Sequence, residues 1–124
     1  MHSDDHPRRE DIRLVAVLRA LADPVRLSVV RQVADDRPHA CGSIATPLVP
    51  SAMTRHFRIL RESGLVRTDP KGTSKLLTLR RDDLDARFPG LLDAVLRTPD
   101  GDGPAPGARS RSGGDERTPR RIDI

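Results

Sequence analysis

The sequence predicts a small, mostly helical domain with one β-hairpin, in the order α-α-α-α-β-β-α. Three observations predict it. Apolar residues recur at helical spacing in separate stretches, with capping residues at their ends. Two short strand-like runs, 65–68 and 74–79, flank Asp69-Pro70-Lys71-Gly72, where proline and glycine favour a tight reversal. The 124 residues, 35% hydrophobic and 32% charged, support one core and leave too little for a second.

Ile12, Leu14, Val15, Val17, Leu18 and Leu21 give the first helix an apolar arc too wide for one buried face, so a second apolar surface calls for a partner. Asp23 followed by Pro24 is an N-cap with proline at the first helical position. It opens a second helix through Val25, Leu27, Val29, Val30 and Val33, which Asp35, Asp36 and Pro38 stop. A short third helix is expected at 42–46, closed by Pro47. Pro50 starts a fourth, with Met53, Phe57 and Leu60 at i, i+4 and i+7, and Gly64 supplies its left-handed C-terminal residue. In the hairpin, Leu77 and Leu79 alternate inward. Asp82 is placed to cap a final helix through Leu84 and Phe88; Pro89 and Gly90 interrupt it, and Leu91, Leu92, Val95 and Leu96 resume an apolar stripe. The domain therefore spans 9–98, between a flexible arm (1–8) and a tail (99–124) whose Gly, Pro and Ser content cannot pack a core.

Several function classes are disfavoured. No run approaches the roughly 18 apolar residues of a membrane span, and the first ten residues are too polar for a signal peptide, so a cytoplasmic protein without a membrane partner is expected. With Cys41 as the single cysteine there is neither an internal disulfide nor a cysteine cluster for zinc. The chain has no Trp, no Tyr and two Phe, which argues against base stacking on aromatic rings. No Ser/His/Asp set, Gly-rich phosphate loop or carboxylate pair stands out, so no enzyme and no cofactor is expected. The charge is uneven. The net +4 originates in residues 50–81, where eight basic side chains face two acidic ones; 1–49 and 99–124 are each neutral and 82–98 is negative. A local excess of that size suits a polyanion, duplex nucleic acid first.

A short helix, a tight turn, a helix with a polar outer face and a basic hairpin make a winged helix-turn-helix. The run Ala20-Leu21-Ala22-Asp23-Pro24-Val25-Arg26-Leu27 resembles the ALADPTRL stretch of ArsR/SmtB-type bacterial transcriptional repressors, and 54–66 (TRHFRILRESGLV) resembles their SHHLKVLREAGLV run. With the hairpin (69–75), the likeness covers residues 9–97 in family order. It implies a homodimer formed by the first and last helices, two recognition helices in successive major grooves of a double-stranded DNA operator, and repression relieved by a chemical signal.

Within the recognition helix, Met53, Phe57 and Leu60 point inward, leaving Ser51, Ala52, Thr54, Arg55 and Arg58 for DNA. An Arg in the N-terminal half can donate two hydrogen bonds to guanine O6 and N7, which makes Arg55 the first choice for base reading. His56 flanks the apolar stripe and reads as a packing histidine. Where the family places a capping Ser, this chain has Val49-Pro50, and the cap is expected to pass to Ser51. Arg67, Lys71, Ser74 and Lys75 are the wing's candidate contacts. Ile12, Val15, Leu18, Leu91, Leu92, Val95 and Leu96 are the candidate dimer interface. Metal-responsive members carry Cys-x-Cys or Asp/His pairs that this chain lacks, so no metal site is expected. Cys41 is the one possible thiol sensor, and a helix N-terminus there would lower its pKa. The alternative function is a winged-helix module that binds an acidic protein and does not read DNA.

Overall fold

The computed structural model describes residues 6–99. A 3₁₀ turn (Arg9–Asp11) leads into α1 (Leu14–Leu21) and α2 (Pro24–Gln32); β1 (His39–Ala40) and a second 3₁₀ turn (Cys41–Ser43) precede α3 (Pro50–Ser63); β2 (Val66–Lys71), β3 (Ser74–Leu79), α4 (Arg81–Arg87) and α5 (Leu91–Arg97) complete it. The strands form one antiparallel sheet in the order β1-β3-β2. This is the expected winged helix-turn-helix plan, with four differences of detail.

The expected third helix is a single 3₁₀ turn preceded by a two-residue strand. The eight residues between Pro38 and Pro47 allow about two helical turns at most, a length at which a helix fixes several residues for few hydrogen bonds. His39 and Ala40 instead pair with Leu77 and Leu76 of β3. The wing is longer than expected: β2 continues through Asp69, Pro70 and Lys71, and the reversal is the pair Gly72-Thr73, with Gly72 at φ 60°. Proline is tolerated because β2 is an edge strand, where the missing N–H breaks no ladder bond. Asp82 does not cap α4, whose N-cap residue is Arg80 with no side-chain capping bond. Asp83 accepts instead from Arg80 Nε and Arg9 Nε, both at 2.8 Å.

The arm is the fourth difference. Residues 1–5, and the tail beyond 99, lie outside the described residues, but His6 to Arg8 are tied to the domain. The Thr68 N–H donates to His6 Nε2 at 3.0 Å, and Arg80 donates to the Pro7 carbonyl at 2.7 Å. His6 thus covers an outward N–H of the β2 edge two residues before a proline that has none, which blunts the edge against pairing with another strand.

The core lies between the helices and the inner face of the sheet: Val17 and Ala20 from α1, Val29 and Val30 from α2, Met53 and Leu60 from α3, Leu77 and Leu79 from β3, Leu84 and Leu92 from the last two helices. The Asp23 carboxylate accepts from the Arg26 N–H at 3.0 Å, the cap expected from the Asp-Pro pair. Gly64 closes α3 at φ 90°. A Cβ there would stand 2.6 Å from Ile12 Cγ1, so the absence of a side chain is what lets Ile12 pack against the end of α3. α3 is thereby held on its apolar side along its length, and its other side is left to solvent.

Candidate nucleic-acid interface

The two sides of α3 differ sharply. Met53 and Leu60 are buried, Phe57 is half-buried, and Ser51, Ala52, Thr54, Arg55 and Arg58 are all exposed. The five residues expected on the outer face are therefore all exposed on one helix. The start of the helix differs from expectation. Val49 is the N-cap residue, with no side-chain cap bond, and Pro50 occupies the first helical position. Ser51 lies inside the helix and does not cap it, and the Ala52 and Met53 N–H groups of the first turn donate to the Val49 carbonyl instead, at 3.0 and 3.2 Å. Thr54 Oγ1 donates to the Pro50 carbonyl at 3.4 Å and keeps its acceptor lone pairs outward.

Comparison with known proteins fits this geometry. A family model described as a helix-turn-helix domain matches residues 21–69, the stretch from the end of α1 into the wing. The solved crystal structure of an ArsR family transcriptional regulator superposes with a TM-score of 0.56 at 23% identity, covering 65% of this chain and 90% of that one. The chain has the winged helix-turn-helix fold of that regulator. An uncharacterized HTH-type transcriptional regulator of Bacillus subtilis (strain 168), YceK, is 29% identical over 96 residues, covering 75% of this chain and 90% of the relative. The reduced form of HlyU from Vibrio cholerae N16961 is similar at 25% identity and a TM-score of 0.49, over 60% of this chain and 86% of that one.

In this winged helix-turn-helix fold the wing candidates Arg67, Lys71, Ser74 and Lys75 are all exposed, but the register divides them. Lys71 lies opposite Ser74, and Arg67 opposite Thr78, on one face of the hairpin; Lys75 lies opposite Pro70 on the other, the face that carries Leu77 inward. Lys75 is thus on the α3 side of the wing, and its charge acts on Cys41 together with that of Arg61 from α3.

The dimer candidates also divide. Val15 is 58% and Leu18 44% exposed, and Leu14, which the arc included but the interface did not, is 43% exposed. Leu91, Val95 and Leu96 are half-buried. Ile12 and Leu92, 1% and 2% exposed, belong to the chain's own core and present no surface to a second chain. The reason for Ile12 is its insertion against Gly64; it precedes α1 rather than lying on it. The apolar surface is therefore the strip Leu14, Val15 and Leu18, with the last helix beside it.

Cys41 begins a three-residue 3₁₀ turn, which supplies no helix dipole of the expected kind. Burial pushes its thiol pKa up; Lys75 and Arg61 oppose the shift without reversing it. Next to it, His39 Nε2 is engaged at 2.9 Å with the Asp35 carboxylate, away from the sulfur. Among the described residues no group of three His, Cys, Asp or Glu converges as metal ligands would, and no helix is long and apolar enough to cross a membrane.

Two features escaped sequence reasoning. One is the docking of His6 on β2, for which periodicity carries no signal. The other is Arg26, whose guanidinium donates to the Ala20 carbonyl at 2.9 Å and the Arg19 carbonyl at 3.2 Å and reaches His56 Nδ1 at 3.2 Å. His56 is the packing histidine expected, and this contact gives it a polar partner as well.

Proposed function

We propose that the chain is a sequence-specific, duplex-DNA-binding transcriptional regulator that acts as a homodimeric repressor and is released by a chemical signal. The observation that carries the reading is the exposed face of α3, Ser51, Ala52, Thr54, Arg55 and Arg58, set beside a cationic wing on an apolar-backed helix. A helix so exposed fits the major groove, where Arg55 contacts guanine and the two hydroxyls contact base edges or phosphates. Arg67, Lys71, Ser74 and Lys75 contact the backbone and supply the salt-dependent part of the affinity. Leu14, Val15 and Leu18 pair with their counterparts in a second copy, with Leu91, Val95 and Leu96 alongside, so that two half-sites are read together. HTH-type regulator is also how the Bacillus subtilis relative is named. The experiment is selection of bound duplexes from a random pool. One recovered, two-fold-related motif supports the reading, and recovery of unrelated sequences at equal affinity defeats it in favour of a module that binds an acidic protein.

A further inference from the structure

The exposed face of α3 reads bases only if the helix is held at one rotation about its axis. The apolar stripe of Met53, Phe57 and Leu60 resists translation, but a ridge of apolar side chains tolerates small rotations with little loss of contact area. A directional bond is what fixes an angle. α3 makes such a bond to the α1–α2 corner through His56.

Arg26 stands in the first turn of α2, where its own N–H is tied to Asp23. Its side chain folds back across the end of α1: Nε donates to the Ala20 carbonyl and Nη2 to the Arg19 carbonyl, which also accepts the Ala22 N–H at 3.2 Å, so both bonds fall on last-turn acceptors of the helix. With those two bonds made, the planar guanidinium has no freedom to turn, and Nη1 is left aimed at His56 Nδ1, 3.2 Å away. An arginine only donates, so this bond requires a lone pair on Nδ1 and the ring proton on Nε2. The Asp23 carboxylate, whose nearer oxygen is 3.9 Å from the same nitrogen, is too far for a hydrogen bond to it. Burial raises the Asp23 carboxyl, but the Arg26 N–H bond, the Arg26 charge, the charge of His56 when that ring is protonated and the Val25 N–H bond outweigh it and hold the group ionised, so Arg26 is also anchored electrostatically at its base. One side chain thus joins three helices: the C-terminal carbonyls of α1, the N-terminus of α2 and the middle of the exposed helix.

We propose that Arg26 and His56 form a positioning clamp that sets the rotation of α3 against the α1–α2 corner, and so decides which of its side chains meet the bases. The clamp rests on the DNA-reading function proposed above and adds a residue pair outside the candidate contact set. Because α1 also carries Leu14, Val15 and Leu18, the same guanidinium connects the apolar strip to the reading helix. His56 acts through Arg26 and touches no base.

The test uses the full chain and turns on which nitrogen of His56 matters. The amide oxygen of an Asn at this position lies near the place of Nδ1, whereas that of a Gln lies nearer the place of Nε2. His56→Asn keeps an acceptor for Arg26; His56→Gln and His56→Ala do not. The readout is the ratio of affinity for the selected operator to that for random duplex, on protein shown to be folded by circular dichroism. The expected result is a ratio about tenfold lower for His56→Ala and His56→Gln, the equivalent of one lost base contact, with His56→Asn close to the parent. Arg26→Lys, which retains the charge but not the fork, gives the same loss as His56→Ala and covers the case in which a His56 variant does not fold. Nitrogen-15 chemical shifts of the parent's imidazole, read without DNA, are expected to report the proton on Nε2. An unchanged ratio in His56→Ala, a loss in His56→Asn equal to that in His56→Ala, or a proton on Nδ1 overturns the clamp. A parent with no sequence preference defeats the proposed function instead, and the imidazole shifts then decide the clamp alone.

Discussion

Replacing Gly64 with alanine tests the junction that holds the end of the reading helix. Two costs are separable in the structure. The residue sits at φ 90°, where a side chain is strained by about 1–2 kcal/mol. The new methyl would also stand 2.6 Å from Ile12 Cγ1, 2.9 Å from Cδ1 and 3.1 Å from Cγ2, an overpacking worth about 1–3 kcal/mol. Gly64→Ala is thus expected to cost about 2–5 kcal/mol. Ile12→Ala, at a site 1% exposed, is expected to cost about 2–5 kcal/mol by itself. The three carbons it removes are the three the methyl would strike, and the methyl would partly fill the space they leave. The double variant should therefore be more stable than the sum of the singles by about 1–3 kcal/mol, only the backbone strain of Gly64→Ala persisting. Urea unfolding followed by circular dichroism at one fixed protein concentration measures all four corners of the cycle. Additivity within about 0.5 kcal/mol would refute the contact, because independent sites add to that accuracy.

Three further outcomes follow from the same structure. Leu18→Glu, on a residue 44% exposed, should leave the protomer folded and shift sedimentation to the monomer, with loss of operator affinity; a dimer that survives would place the interface away from α1. The Asp83 carboxyl is raised by burial but lowered more by its bonds from Arg9 and Arg80, so its folded pKa lies below the ordinary carboxylate value. Its contribution to stability is present above that ordinary value and is lost as pH falls through the folded pKa. Asp83→Asn should accordingly destabilise by about 1–3 kcal/mol at neutral pH and flatten the acid limb of the stability profile, and an unchanged acid limb would contradict the assignment. Cys41→Ser should bind the operator like the parent, and peroxide or cadmium should not release the parent, since burial keeps the thiol protonated; release of the parent but not of the variant would make Cys41 the sensor.

Much of the plan was legible because the signals were local and redundant. In α3, proline at the start, a stripe at i, i+4 and i+7 and glycine at the end all agreed, and the helix has those limits. The Asp23 cap needed only its own dipeptide. What escaped was decided by partners distant in sequence. His39 and Ala40 are a strand because β3 offers free backbone groups beside them, and nothing within 38–47 announces that. Ile12 fits a helical arc as well as Leu14 does, yet it is removed from the surface by a glycine 52 positions later in the chain. For the site, burial pattern was enough to find the outer face of α3, since polarity and period sufficed. The Arg26–His56 contact was not, because a half-buried polar pair has the same sequence signature as two solvated side chains.

Reading of bases by the outer face of α3 is tested most directly by pairing Arg55→Ala with removal of single guanine N7 atoms from the selected operator. Arg55 is exposed on α3 and is expected to hold one guanine through O6 and N7. Replacing that guanine by 7-deazaguanine should weaken the parent, Arg55→Ala should weaken binding to the unmodified operator by about 1–3 kcal/mol, and the two together should cost little more than Arg55→Ala alone. The affinity of Arg55→Ala for random duplex should change far less than its affinity for the operator. If no guanine in the operator is coupled to Arg55, and Arg55→Ala weakens every duplex equally, α3 contacts phosphate rather than bases at this position.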